Sequence, residues 1–134
     1  MLMIPCELRP SGIDGVGVFT LVDIPKGALV WRFDPTVDRL IARCYLESLT
    51  GPARDFMFGH AYESTKRAGM WVLCGDMMGY QNHASVPNCV DVLVEGDEEN
   101  DTVAACDIPA GTELTGNYLD FDANAILKPF VRVR

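Results

Sequence analysis

Glycine and proline punctuate this chain so often that long elements have little room. Twelve glycines and eight prolines are spread along it, and both are turn formers that interrupt helices and strands. The pieces between them are short. Residues 16–22 (Val-Gly-Val-Phe-Thr-Leu-Val) and 28–33 (Ala-Leu-Val-Trp-Arg-Phe) are rich in branched and aromatic side chains and read as strands. Residues 70–74, 89–94 and 102–106 read the same way. Between the first two lies Asp23-Ile24-Pro25-Lys26-Gly27, where proline at i+1 and glycine at i+3 suit a type I turn. The same pattern returns at Asp107-Ile108-Pro109-Ala110-Gly111. The two read as similar tight turns, not as units of a repeat.

One helix is expected where Asp34 can cap it and Pro35 suits its first position. Val37, Leu40, Ile41 and Cys44 then fall on one helical stripe, and Gly51-Pro52 ends it. A shorter helix is expected from Pro52 to about His60, with Phe56 inward. Residues 95–101 form an acidic connection between two strands, either a solvated loop or a docking site for a basic peptide. The expected fold is α+β, mainly β, as a single domain over residues 1–134.

A chain of 134 residues can bury a core without a staple. Its 49% apolar and 22% charged content is ordinary for a globular protein. Eleven basic against nineteen acidic residues give a net charge of −8. That charge disfavours direct nucleic-acid binding and favours a cationic partner. The five cysteines are scattered and no C-x-x-C occurs, which argues against a disulfide framework or a zinc site, so no metal is expected. They read mostly as buried thiols in a reducing compartment. The N-terminal residues carry no basic flank and no long apolar run, so a cytoplasmic protein without signal peptide or membrane contact is expected.

Gly15-Val16-Gly17 invites a dinucleotide-loop reading, but Thr20 stands where the third glycine belongs and a strand follows instead of a helix. What remains is a glycine pair that lets backbone approach a ligand closely, or a plain turn. There are two histidines. His60 lies in the apolar helix and reads as structural. His83 precedes Cys89, so a Cys–His hydrolase pair comes into view, though no third orienting group is evident. Asn82 and His83 place an amide and an imidazole between apolar segments, which a polar ligand could satisfy. Asn88 reads as a turn-building residue. Tyr118, after a tight turn and a short strand, can present its hydroxyl into a pocket or sit at an interface.

These signals occur in a fixed order that resembles the SET-domain family of protein lysine methyltransferases. Gly15-Val16-Gly17-Val18-Phe19, with the D-I-P-x-G turn after it, is similar to the family's opening motif. Residues 82–89, Asn-His-Ala-Ser-Val-Pro-Asn-Cys, are similar to N-H-S-x-x-P-N-C. Residues 107–118, Asp-Ile-Pro-Ala-Gly-Thr-Glu-Leu-Thr-Gly-Asn-Tyr, are similar to D-I-x-x-G-E-E-L-T-x-D-Y. The resemblance covers about residues 12–118, leaves a short tail at 119–134, and is closest to minimal, free-standing members of bacterial or viral type.

The resemblance implies small twisted sheets around a knot-like crossing of the C-terminal segment. It implies S-adenosylmethionine as methyl donor, with Gly15, Val16 and Gly17 cradling its methionine part and Asn82 and His83 holding its amino group and adenine edge. Tyr118 falls where methyl transfer occurs. Phe33 and Tyr80 fall on the lysine channel. The implied substrate is a lysine-bearing basic protein or peptide, histone-like in character, and a homodimer is allowed. Three positions depart from the pattern: Ala84 replaces a serine, Gly116 stands where many members carry Phe or Tyr, and Phe33 lacks a common hydroxyl. They bear on how many methyl groups fit, and they motivate an alternative, a SET-fold binding module without catalysis. Without the family's cysteine-rich tail, Phe121 or Phe130 is expected to cover the adenine.

Overall fold

The computed structural model describes residues 1–127, and its strands are as short as the glycine and proline spacing demands. Strands β1 (Cys6–Pro10) and β2 (Val16–Thr20) form an antiparallel hairpin. Gly15 turns the chain into β2 at φ +48°, a backbone state open to glycine. A second sheet has the order β3 (Leu29–Trp31), β9 (Asp101–Ala104), β8 (Cys89–Val92). A third has the order β4 (Arg39–Ala42), β6 (Met70–Leu73), β5 (Tyr62–Glu63). Strands β7 (Asn82–His83) and β10 (Thr115–Gly116) form a short parallel pair. Three helices complete the described residues, α1 (Arg43–Glu47), α2 (Gly51–His60) and α3 (Tyr118–Phe121), with 3₁₀ turns at Met77–Tyr80 and Ala125–Leu127. The α+β, mainly β expectation therefore holds, with small sheets and few helices. No helix among the described residues is long and apolar enough to cross a membrane.

The two D-I-P-x-G turns face each other. Ile24 and Ile108 exchange backbone hydrogen bonds, both at 2.8 Å. Asp107 Oδ1 accepts from the Lys26 N–H and Asp23 Oδ1 from the Ala110 N–H, each at 2.8 Å. Each aspartate thus caps the other motif's turn, and both isoleucines are buried in one cluster with Val18, Val30, Cys89 and Leu114. The turns are shifted one residue from the type I expectation. Ala28 bonds back to Pro25, and Thr112 to Pro109, with Gly27 and Gly111 third in each turn at φ +84° and +85°.

The long helix expected from Asp34 is not there. Asp34 instead closes a local turn, its Oδ1 accepting from the Thr36 N–H at 2.8 Å. Residues 39–42 become β4, paired with β6 from Arg39↔Leu73 to Ala42↔Met70. The period is two: Leu40 packs against the Trp31–Val72–Met78 cluster and Ile41 against the Leu46–Ala61–Trp71 cluster. Leu40 and Ile41 are adjacent, so they fit a helical stripe and a strand covered on both faces alike, and pairing with β6 decides between them. Helix α2 forms as expected, but Phe56 is 47% exposed, and Met57 and Phe58 do the packing.

The acidic connection is only partly solvated. Glu99 is buried, accepting from Ser64 Oγ at 2.6 Å and from the Tyr62 hydroxyl at 3.2 Å. Asp101 is paired with Arg32. Among the cysteines, Cys6 and Cys89 are buried, Cys74 is half-buried, and Cys44 and Cys106 are exposed, so burial is less general than expected. After β10 the chain returns over β5, where Ala123 N–H bonds to Glu63 O at 2.9 Å and Ser64 bridges to Asp122.

Candidate functional site

The segment 14–16 is held by one side chain. Asn82 Nδ2 donates to Asp14 O at 3.0 Å and Val16 O at 3.3 Å, and to Glu113 Oε1 at 2.8 Å. Glu113 also accepts from Ser11 Oγ at 2.8 Å. A Cβ on Gly17 would lie 2.1 Å from Glu113 Oε1. The second glycine therefore makes room for this carboxylate. Asn88 locks the same strand from behind: its Nδ2 donates to Glu113 O and its Oδ1 accepts from Thr115 N–H, both at 2.8 Å. Asn88 is thus structural, but it ties its own segment to residues 113–115 instead of building the expected local turn. The result is a cradle lined by Asp14, Gly15, Val16, Tyr80 and Asn82 on one side and by His60 on the other.

A second cavity is aromatic. Trp31, Tyr62, Tyr118 and Phe121 line it, with Cys74, Met78 and Asp91. Phe121 stands edge-on to Tyr62 at 5.1 Å and to Tyr118 at 5.5 Å between ring centres. The Tyr118 N–H donates to His83 Nδ1 at 3.1 Å, so the neutral ring carries its proton on Nε2. The Tyr118 hydroxyl donates to Gln81 O. Burial pushes this phenol well up, and the negative charge of Asp122 and Asp14 adds to it, so it stays protonated at neutral pH. Asp91 is pushed up to about 6 by burial, against the hydrogen bond from Thr102 Oγ1 at 2.9 Å.

The cavities share one wall, made of Gly59, His60, Gly79, Gln81 and Tyr118. Of the residues singled out from sequence, Gly15, Val16, Asn82 and Tyr118 come together directly. Gly17 and His83 sit behind them, against Glu113 and Tyr118. Tyr80 lies on the cradle, its ring 4.7 Å from His60. Phe33 is edge-on to Trp31 at 6.4 Å and lines a neighbouring groove with Asp97 and Glu98. Phe121 lines the aromatic cavity, and Phe130 lies outside the described residues. Sequence reasoning gave no role to Gln81, Asp91 or Glu113, and His60, read as structural, lines both cavities. Glu113 had a signal, its place inside the E-L-T motif, and Gln81 adjoined the Asn-His pair.

The Cys–His hydrolase alternative fails on geometry. Cys89 is 1% exposed, its thiol is pushed up to about 12 by burial, and its Sγ faces Asn88 Oδ1 at 3.5 Å. His83 Nδ1 is already engaged by the Tyr118 N–H.

Comparison with known proteins identifies the family and the fold. A family model described as "SET domain" matches residues 15–119. Among solved structures, a humanized mutant of the Chaetomium thermophilum Polycomb Repressive Complex 2 bound to the inhibitor GSK126 is 27% identical, with a TM-score of 0.66 over 90% of this chain and 16% of that one. The ctPRC2 structure in an autoinhibited conformation bound to S-adenosylmethionine is 26% identical, with a TM-score of 0.70 over 90% of this chain and 16% of that one. A ctPRC2 complex with H3K27me3 is 25% identical, with a TM-score of 0.65 over 86% and 14%. The chain thus spans a small fraction of the length of these larger proteins.

Proposed function

The chain belongs to the SET-domain family, and on that premise we propose that it is a protein lysine methyltransferase that draws its methyl group from S-adenosylmethionine. The observation that carries this reading is the shared wall, where Tyr118 stands between a cradle rich in acceptors and an aromatic channel. The cradle fits a cationic donor: its described lining has no lysine or arginine, and it offers the Asp14 carboxylate and the backbone at Gly15 and Val16. When bound, the donor supplies a methyl group on a positively charged sulfur. Gly15, Val16 and Asn82 would hold it, with Gly17 and His83 fixing the positions of Glu113 and Tyr118.

The channel fits an alkyl amine. Aromatic rings can surround the methylene stem, while the low polarity around Tyr118 disfavours an ammonium and so lowers the lysine pKa. Asp91 draws the cation to the channel wall before its proton is lost to water. Tyr118, protonated and donating to Gln81 O, keeps lone pairs for weak C–H···O contacts with a methyl group, each worth ~0.5–1 kcal/mol. The remaining work is alignment of nitrogen and methyl carbon on one axis. The net charge of −8 supports a lysine-rich basic substrate.

The test is transfer of a radiolabelled methyl group to poly-L-lysine, core histones and lysate proteins. Tyr118→Phe should lower the rate by about 10- to 100-fold through loss of these contacts and of the bond to Gln81 O, with donor affinity retained. Donor binding by the wild-type protein without any labelled product would favour a binding module instead.

A further inference from the structure

Gln81 has no role in any motif, yet its side chain occupies the wall between the two cavities. The residue is 8% exposed, and its Nε2 is buried without a hydrogen-bond partner. Leaving such a group unpaired costs about 1–3 kcal/mol. Its Oε1 lies against Gly116: a Cβ built there would be 2.7 Å from Gln81 Oε1 and 3.3 Å from the Phe121 ring. The amide of Gln81 therefore fills the space that a side chain at position 116 would take. It does so beside the Tyr118 phenol, whose proton goes to the Gln81 carbonyl.

We infer that Gln81 limits how many methyl groups the site places on one amine, a role that rests on the reading of the preceding section. Each transfer forms one N–C bond as one C–S bond breaks, and releases one proton from nitrogen to water. An unmethylated or monomethylated amine retains an N–H after its lone pair is aligned, and Gln81 Oε1 can accept it. A dimethylated amine has no N–H left and must turn a methyl group against that amide. A methyl group cannot pair with the amide, and the side chain of Gln81 leaves it little room. The second product is then the last one, and the space opened by Gly116 is closed by the side chain that leads into its partner strand β7.

Two measurements on the full chain test this. The first needs no donor. Gly116→Phe should lower the melting temperature by several degrees, and adding Gln81→Ala should recover at least half of the loss, because the two side chains compete for one space. Gly116→Ala, which asks only the flexible amide to move, keeps the cycle measurable if the phenylalanine variant does not fold. Purely additive effects would overturn the assignment. The second is mass spectrometry of poly-L-lysine and core histones after exhaustive reaction. Wild-type protein should stop at dimethyllysine, and Gln81→Ala should raise the ratio of tri- to dimethyllysine by about tenfold or more, the equivalent of one lost hydrogen bond. Transfer with an unchanged ratio overturns the role of Gln81 alone. No transfer by the wild-type protein to any of these substrates overturns the methyltransferase reading and this role with it.

Discussion

The two cavities that meet at Tyr118 are built by different means. The cradle is a backbone structure: a glycine at φ +48°, a strand edge, and one amide, Asn82, that bonds Asp14, Val16 and Glu113 together. The channel is a side-chain structure, with Trp31, Tyr62, Asp91 and Phe121 brought from four separate strands and helices. A backbone cradle depends on a few irreplaceable bonds, whereas a side-chain channel distributes its shape over many contacts. Damage should therefore be concentrated on the cradle and graded on the channel.

The sharpest break is Asn82→Ala. It removes the two N–H groups that three acceptors share and leaves the Asp14 and Val16 carbonyls without that donor, while Glu113 keeps its bond from Ser11 Oγ. Donor affinity measured by calorimetry should fall by about 30-fold, from roughly 1 kcal/mol for each lost N–H. A change below threefold would mean that the cradle does not depend on this amide. Next is Gly17→Ala, which drives a methyl group into the Glu113 carboxylate. Chemical denaturation should show a loss of about 1–3 kcal/mol, as for other overpacked sites. Glu113→Ser in the same chain should return part of it; if it returns nothing, the carboxylate is not the obstacle.

The channel contains a group whose effect on stability runs with pH. The folded pKa of Asp91, about 6, lies above its ordinary value of 3.8. The protonated form is thus favoured on folding, and this contribution is complete below about pH 4 and lost as the pH rises through 6. Asp91→Asn should stabilise the fold by about 1–2 kcal/mol at pH 8, with the gain vanishing below pH 4. It should also raise KM for a lysine peptide. A stability gain independent of pH would contradict the burial of this carboxylate. The smallest effect is expected outside both cavities. Glu98→Lys should raise KM for poly-L-lysine about two- to threefold at low salt, with the difference fading at high salt. Glu99 is unsuitable for that test, because it is buried under Ser64 and Tyr62.

The same contrast explains what the sequence made legible. Gly15, Asn82 and Tyr118 were picked out through the family resemblance, whose motifs fix residue types at local spacing, and the structure brings them to two adjoining cavities. Asp23 and Asp107 could be seen as turn residues, but their reciprocal capping depends on two segments meeting far apart in the chain. Leu40 and Ile41 were ambiguous in principle, since a short apolar run does not choose its own period. Trp31, Asp91 and Gln81 carry no local signal at all. Their proximity follows from the pairing of β3, β9 and β8 and from the parallel pairing of β7 with β10.

The most direct test is a crystal structure of the full chain with S-adenosylhomocysteine and a lysine peptide. The account predicts the sulfur in the cradle beside Gly15 and Asn82, and the lysine nitrogen in the aromatic channel, with the Tyr118 phenol between them. A donor product bound on another face, or a lysine lying outside the ring formed by Trp31, Tyr62 and Phe121, would contradict it.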